Sequence, residues 1–241
     1  MNDYPTVQIL SMDMLIEVKE LIYRRRKGFC LRIDENGDLI VIAPYYATEN
    51  DIRKVIQKKA NWILKTREVV LRNLQKTKPL KFVKGESILF LGENFKIDFH
   101  NKSDVLLDEK NKVLYLPYGE HTTLYRKLRL FYYEQARKIL KEELDRWSNI
   151  MGLEYTSFRL KDAKRLWGSC GKNGVINLNW RLILLPKPII QHIVIHELAH
   201  LVYRNHSKQF KYFVSQYSSN YSEKEKWLRD NSYILQMFRE D

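Results

Sequence analysis

Three of the six histidines in this 241-residue chain lie close together near its carboxyl end. His196 and His200 are four positions apart, so a helix places both imidazoles on one face, where two ring nitrogens can share a metal ion. Glu197 follows the first histidine directly, and this offset places its carboxylate beside the ion, within reach of a water molecule bound there. The spacing therefore predicts a metal site with its own general base.

A third ligand is available in His206, six residues after His200. A tetrahedral catalytic zinc takes three protein ligands and keeps a fourth position open for water. His206 can complete this set if the helix ends and the chain turns back. Asn205 tolerates the left-handed conformation that such a turn often uses, and Ser207 is a suitable N-cap for a following helix.

Chance is a poor explanation of this pattern. At the chain's own histidine and glutamate frequencies, an accidental H-E-x-x-H has a probability on the order of one in a hundred. Imidazoles in so apolar a helix would also be costly to bury without a metal or hydrogen-bond partners. His192 precedes His196 by four residues, and we expect it behind a ligand or at the surface, because a fourth ligand would close the open position.

The first half of the chain has the punctuation of short strands around one helix. Asn36-Gly37 between two apolar runs predicts a hairpin, and Thr48 followed three residues later by Asp51 predicts the start of the helix. The pattern changes near Pro117 to Gly119. We therefore expect an α+β fold whose N-terminal β-rich domain covers residues 1–120.

The catalytic domain is expected over residues 121–241. It begins with a long amphipathic helix over 122–151, followed by a small sheet that includes a strand from Val175 to Trp180. An unusually apolar helix from Ile189 to Val202 carries the first two histidines of the motif. Its composition is typical of a helix buried in a core.

Charge and composition limit the partners and the compartment. Lysine and arginine number 42 against 29 acidic residues, and the resulting charge of +13 suits either a solvated surface or a nucleic-acid or nucleotide partner. No stretch stays apolar for the roughly 20 residues of a membrane span, and the first twenty residues do not resemble a signal peptide. We expect a cytoplasmic protein with no membrane partner, in which Cys30 and Cys170 are reduced thiols, the latter with a packing role.

Longer stretches of the sequence resemble a known family. WGSCGKNGVINLNWRLILLP and HELAHLVYRNHSKQF resemble the YgjP-like metallopeptidase-type proteins, and LIVIAPYYATENDIRKVIQKKANWI is similar to their N-terminal part. The histidine pattern is also similar to that of the WLM and SprT-like groups. The resemblance implies a gluzincin-like zincin domain with one zinc per chain, held by His196, His200 and His206, and with Glu197 as catalytic base.

The residues that hold the substrate are less well defined by the sequence. Tyr203, Arg165 and Arg181 are candidates for stabilising the charge that develops on a substrate oxygen. Leu166 separates Arg165 from Trp-Gly-Ser-Cys, whereas in the family an arginine directly precedes this stretch. By analogy with peptidases of this plan, the strand from Val175 to Trp180 is either an edge strand that aligns an extended substrate or a plain sheet strand.

Three functions fit these observations. The favoured one is a zinc-dependent peptidase acting on a protein or peptide, which the positive charge would steer toward nucleic acid. The second is a metal-dependent hydrolase of a nucleotide or other phosphoanhydride. The third is a non-catalytic nucleic-acid-binding protein with a structural zinc, although an intact general base argues against it, because structural zinc sites usually have four ligands.

Overall fold

The structure is a computed structural model. Among the residues that it describes, the chain forms five α-helices and several small, separate β-sheets. The described residues are 8–11, 14–34, 36–76 and 79–238. The α+β class expected from the sequence is the observed one. The chain divides into two compact units, Met1–Lys78 and Pro79–Asp241.

The first unit is a four-stranded sheet followed by one long helix. Its sheet has the order β1-β2-β4-β3, with β2 and β4 parallel and the other neighbours antiparallel. Residues from both layers form the core, including Val41 in the sheet and Ile52 and Ile56 in the helix. The elements are β1 (Gln8–Ser11), β2 (Met14–Arg24), β3 (Cys30–Ile33), β4 (Leu39–Pro44) and α1 (Glu49–Lys76).

Two local signals in the first unit are confirmed. The Asn36-Gly37 pair lies in the turn between β3 and β4, where Gly37 has a φ of 86°, a conformation that costs glycine little. At the start of α1, the Asp51 N–H donates to the Thr48 hydroxyl at 3.2 Å, and the Thr48 N–H donates to the Asp51 carboxylate at 3.0 Å. This reciprocal pair is a capping box with aspartate at its third position.

The second unit begins with a sheet that packs on a long helix. The sheet has the order β5-β6-β8-β7, and Leu114 and Leu116 of β8 share one core with Leu124 and Leu128 of the helix. The elements are β5 (Ser87–Phe90), β6 (Glu93–His100), β7 (Leu106–Asp108), β8 (Val113–Pro117) and α2 (His121–Met151).

Because of this shared core, the boundary between the two units differs from the one expected from the sequence. The sequence pattern changes from strands to helix near residue 120, but the compact units divide between Lys78 and Pro79. A change of periodicity marks where one element ends, whereas a domain is defined by the elements that bury apolar surface together. The sheet β5 to β8 therefore belongs with the helices of the second unit, and the expected boundary near 120 differs from the observed division.

The turn between β5 and β6 also contacts the chain just before the histidine helix. The Leu91 N–H donates to the Ile183 carbonyl at 2.7 Å, and the Gly92 N–H donates to the Leu184 carbonyl at 3.1 Å. Gly92 has a φ of 79°, and a Cβ at this position would lie 2.6 Å from atoms of Pro186. Only glycine fits this close approach.

A three-stranded sheet and three helices complete the second unit. In the sheet, β11 lies between β10, which is antiparallel to it, and β9, which is parallel. The elements are β9 (Ser157–Lys161), β10 (Gly168–Cys170), β11 (Val175–Asn179), a 3₁₀ helix (Trp180–Leu184), α3 (Lys187–Ala199), α4 (Lys208–Tyr217), α5 (Tyr221–Asp230) and a second 3₁₀ helix (Ser232–Gln236).

The apolar helix is shorter than its composition predicted. α3 ends at Ala199, and His200 is its C-cap with φ −69° and ψ −10°. Asn205 does not use the left-handed conformation expected of it; its side-chain oxygen instead accepts a hydrogen bond from the Ser207 N–H at 3.2 Å. Ser207 caps α4 as predicted, because its hydroxyl accepts from the Phe210 N–H at 3.3 Å.

Within the described part of the chain, no helix combines the length and the apolar character that crossing a membrane requires.

Candidate metal centre and cleft

The three histidines of the motif lie together. His196 is in the last turn of α3, His200 caps that helix, and His206 lies in the loop before α4. The Nε2 atoms of His196 and His206 are 3.0 Å apart. One ring nitrogen from each of the three residues lies within 4.8 Å of those of the other two. The structure thus brings together the residues that the spacing selected.

The His200 ring is oriented by the backbone. Its Nδ1 lies 2.8 Å from the Tyr203 carbonyl oxygen, and because a carbonyl can only accept, this nitrogen carries the proton. In the neutral ring Nε2 is then free to bind a metal. The Tyr203 side chain packs on Phe213, with 5.5 Å between ring centroids, and it does not line the cleft described below. Its expected role as an oxyanion-stabilising side chain has no support in this geometry.

The His196 ring has a carboxylate behind it. Glu225 Oε1, on α5, lies 3.8 Å from His196 Nδ1 and 3.1 Å from His192 Nε2. His192 is fully buried, and its Nδ1 lies 2.9 Å from the Ser218 hydroxyl. The hydrogen bond from His192 lowers the pKa of Glu225. His192 therefore lies behind a candidate ligand, which is one of the two positions expected for it.

Glu225 is a site residue that the sequence did not reveal. His192, His196 and Glu225 also form a second cluster in which the donor atoms lie within 4.8 Å of one another. Both ring nitrogens of His192 already have protein partners. The arrangement is that of a carboxylate and a buried imidazole supporting a metal-binding histidine from behind.

Burial keeps two of the three candidate ligands, His196 and His200, neutral. Burial, followed by the neighbouring His200, lowers the pKa of His196 to about 4. Burial also lowers the pKa of His200. Both rings are neutral near pH 7, and neutral imidazole is the form that coordinates a metal.

Glu197 is a buried carboxyl with an unused oxygen. The residue is 6% exposed, and its Oε2 has no hydrogen-bond partner among the described residues. Burial raises its pKa to about 8. A Cβ on Gly168 of β10 would lie 2.8 Å from Glu197 Cγ and Oε1. The glycine therefore provides the space that the carboxyl group occupies.

These residues line a cleft of about 560 Å³. β10 forms one of its walls, and Glu197 and Glu225 are the acidic residues among those that line it. Three arginines also line it: Arg165, Arg204 and Arg229. Leu166, the residue inserted relative to the family pattern, also lines the cleft. The insertion therefore leaves Arg165 at the cleft.

Arg204 ties the β10–β11 hairpin to the segment that follows α3. Its guanidinium donates to the Gly171 carbonyl at 2.9 Å and to the Lys172 carbonyl at 3.1 Å. It also lies 3.5 Å from the Cys170 sulfur. Burial raises the pKa of the Cys170 thiol, which favours the protonated form expected of a packing residue.

The strand at the edge of the sheet is not the one suggested by analogy. β11, from Val175 to Asn179, is paired on both sides and is therefore the plain sheet strand of the two alternatives, whereas β10 is at the edge. On the β11 side, the Trp167 carbonyl accepts a hydrogen bond from the Asn179 N–H, and the Gly171 N–H donates to the Val175 carbonyl, at 2.8 Å each. Because antiparallel pairing alternates, the main-chain groups of Gly168 and Cys170 face the open side.

Arg181, a candidate for charge stabilisation, lies elsewhere. It is 1% exposed and is absent from the cleft lining. Its guanidinium donates to the Met237 carbonyl at 2.5 Å and the Phe238 carbonyl at 3.1 Å, and it forms an ion pair with Asp162. These partners hold the guanidinium away from the cleft, so the geometry does not support the expected role. Arg165 alone of the three candidates lies at the cleft.

One family matches the chain. The family described as YgjP-like, metallopeptidase domain, matches residues 27–231, which include parts of both units and all the residues of the cleft except Ser232 and Leu235. No curated protein and no solved structure matches the chain. The family description indicates a metal-dependent hydrolase.

Proposed function

Because the chain belongs to the YgjP-like family of metallopeptidase domains, we propose that it is a zinc-dependent peptidase. In this proposal His196, His200 and His206 hold the metal, and Glu197 is the general base. One observation carries the proposal: three ring nitrogens lie within 4.8 Å of one another in a cleft that Glu197 also lines, and one oxygen of this buried carboxyl group has no partner in the described chain.

The donor set fits zinc. Imidazole nitrogen is a ligand that zinc accepts readily, and three such ligands leave the fourth tetrahedral position open. The Nε2 atoms of His196 and His206 lie 3.0 Å apart, and burial keeps the His196 ring neutral, the form that binds a metal. Both nitrogens would coordinate a divalent cation bound in this cluster. The finer proposal of a gluzincin-like catalytic domain rests on the family resemblance alone.

Zinc in such a site supplies Lewis-acid chemistry, since it increases the acidity of water and polarises the carbonyl under attack. Glu197 then acts at Oε2, which takes the proton from the attacking water and returns it to the leaving amine. A base is most effective when its pKa lies near the working pH. Burial alone, with no metal beside it, raises the pKa of Glu197 to about 8; a bound divalent cation would lower this pKa and favour the ionised carboxylate that can accept the proton.

The edge strand supports a peptide as the substrate. The free main-chain groups of Gly168 and Cys170 face away from β11, and an extended peptide can add to such an edge as a further strand. Gly168 also contacts the proposed base, since its Cα lies beside the Glu197 carboxyl group. A peptide aligned on β10 would pass directly by that carboxyl.

The arginines support a second candidate, a hydrolase of a nucleotide or other phosphoanhydride. Arg165 and Arg229 line the cleft, and neither forms an ion pair or a side-chain hydrogen bond with any residue that the structure describes. Guanidinium groups bind phosphate oxygens well. The metal and Glu197 would have the same roles in this reaction.

The test combines metal analysis with two substrate panels, one of peptides and one of nucleoside triphosphates. We expect one zinc per chain and hydrolysis of peptides. Glu197→Gln should keep the zinc and lower kcat by about 10²–10⁴-fold, because it removes general-base catalysis. His206→Ala should lose most of the metal.

Matched variants control for general damage. Glu143→Gln also alters a buried carboxylate of the second unit, and His100→Ala removes a half-buried histidine outside the cleft. Both should retain metal and activity. Turnover of nucleotides alone would select the second candidate, and a full zinc content without any turnover would select a structural zinc. Full peptidase activity in Glu197→Gln would contradict the assigned base.

A further inference from the structure

The first unit has a second concentration of functional side chains, independent of the cleft. Four consecutive basic residues, Arg24 to Lys27, begin at the end of β2, and two consecutive tyrosines, Tyr45 and Tyr46, directly follow β4. β2 and β4 are parallel neighbours, with Arg24 opposite Pro44. The carboxyl ends of the two strands therefore meet at one edge of the sheet, and the basic segment lies beside the tyrosines.

The two tyrosines are held in an exposed position. They are the central residues of a turn closed by a hydrogen bond of 3.0 Å from the Ala47 N–H to the Pro44 carbonyl. Tyr45 is 69% exposed and Tyr46 is 73% exposed. The Tyr46 hydroxyl donates to the Lys27 carbonyl at 3.0 Å, which links the turn to the basic segment.

The positive charge at this edge is not neutralised nearby. Arg24, Arg25 and Lys27 are exposed, and none forms an ion pair with another residue in the described ranges. The acidic groups that follow the two tyrosines, at the start of α1, have partners of their own. Glu49 pairs with Arg53 at 2.6 Å, and the Asp51 carboxylate accepts hydrogen bonds from Thr48.

We propose that this surface, the Tyr–Arg edge formed by Arg24, Arg25, Lys27, Tyr45 and Tyr46, binds single-stranded nucleic acid. Exposed cations track a phosphate backbone, and exposed aromatic rings provide faces on which unpaired bases stack. A double helix presents its bases already stacked, so the tyrosines would contribute nothing to binding it. The pairing of free cations with adjacent exposed rings is what favours a single strand.

The test is fluorescence anisotropy of the full chain with labelled single strands of about 12 nucleotides. DNA and RNA strands form separate arms, a duplex of the same sequence is a third, and salt is varied between about 50 and 200 mM. We expect both single strands to bind at least tenfold more tightly than the duplex. Affinity should fall steeply with salt.

Two sets of variants separate the two contributions. Arg24→Ala/Arg25→Ala/Lys27→Ala should reduce the slope of log K against log salt by about 2, since each phosphate contact contributes about 0.7. Tyr45→Ala should weaken binding by about fivefold or more and leave the salt slope unchanged, because it removes a stacking surface and no charge. Tyr46→Phe keeps the ring and should bind like the parent chain, even without the bond to Lys27.

A matched control removes the same charge from another face of this unit. Lys54→Ala/Lys58→Ala/Lys59→Ala affects exposed lysines of α1 and should change the salt slope by less than about 1. The proposal is overturned if this control weakens binding as much as the Arg24 triple variant, or if Tyr45→Ala binds normally. It is also overturned if the chain binds vesicles of phosphatidylcholine with a minority of phosphatidylserine but binds neither single strand.

Discussion

Two ionisable side chains in the interior of the second unit differ in whether other residues of the protein satisfy their polar atoms. Arg181 is 1% exposed, and its guanidinium bonds to two carbonyls and to the Asp162 carboxylate. Glu197 is 6% exposed, yet one of its oxygens has no partner in the described chain. Arg181 joins the 3₁₀ helix after β11 to the carboxyl-terminal segment, whereas Glu197 faces a cleft.

The comparison shows how a buried ionisable group with a structural role can be distinguished from one with a functional role. A buried charge is tolerated when its hydrogen bonds are complete, and a complete set leaves nothing for a substrate. An incomplete set is costly, so its persistence points to a partner outside the protein chain. By this criterion Arg181 stabilises the fold, and Glu197 is available for chemistry.

The largest expected effect is on stability. Arg181→Met should lower the free energy of unfolding by about 2–4 kcal/mol, because it leaves Asp162 and two carbonyls without their buried donor. Glu197→Gln should change it by less than about 1 kcal/mol, because no protein hydrogen bond to Oε2 is lost. Urea denaturation of both variants measures the contrast. Equal losses would mean that Glu197 is as structural as Arg181.

The next effect concerns the space beside the base. Gly168→Ala places a methyl group where the Glu197 carboxyl lies, and we expect about a 10–100-fold loss of kcat with normal zinc content. Gly119→Ala is the matched control, since a Cβ there meets nothing nearer than 3.8 Å. Steady-state kinetics gives kcat for both variants, and metal analysis gives their zinc content. Unchanged kinetics in Gly168→Ala would show that the carboxyl position is not critical.

A smaller effect is expected behind the metal ligands. Glu225→Gln weakens the support for the His196 ring, and the loss of such a supporting group typically costs about tenfold or more in metal affinity. Glu223→Gln, on the exposed side of the same helix, should have no effect. Competition with a chelator gives both affinities. If the two variants retain zinc equally, Glu225 has no part in holding His196.

The smallest effect is a dependence of stability on pH. Burial would raise the pKa of Asp162, but hydrogen bonds from Arg181 and Arg129 outweigh it and lower this pKa below 3.8. The unfolded chain therefore binds a proton first as pH falls, and the stabilising contribution is present near neutral pH and lost as pH falls below about 4 through the lowered pKa of the folded state. Asp162→Asn should show a shallower loss over this range in thermal melts. Parallel curves for the parent chain and the variant would exclude the pair as the cause.

Local signals in the sequence predicted much of the fold. The Asn36-Gly37 hairpin, the Thr48 cap of α1 and the Ser207 cap of α4 each depend on residues a few positions apart, and each is present. The helix predicted over 122–151 is observed as His121–Met151. Such features are predictable because the interactions that stabilise them are contained in the pattern itself.

What the sequence did not predict depends on residues far apart in the chain. Glu225 reaches His192 and His196 from a different helix, and Asp162 meets Arg181 from a different strand end. No spacing rule connects such pairs. The edge position of β10 likewise follows from the order of strands, which alternating hydrophobicity does not specify.

The contact between the Leu91–Gly92 turn and the segment before α3 has a practical consequence for anyone shortening this chain. A fragment beginning at residue 121 would lack that turn, so the Ile183 and Leu184 carbonyls would lose their donors just ahead of the helix that carries His196. It would also uncover the apolar face of α2. The shortest piece worth expressing for work on the histidines therefore starts at Pro79.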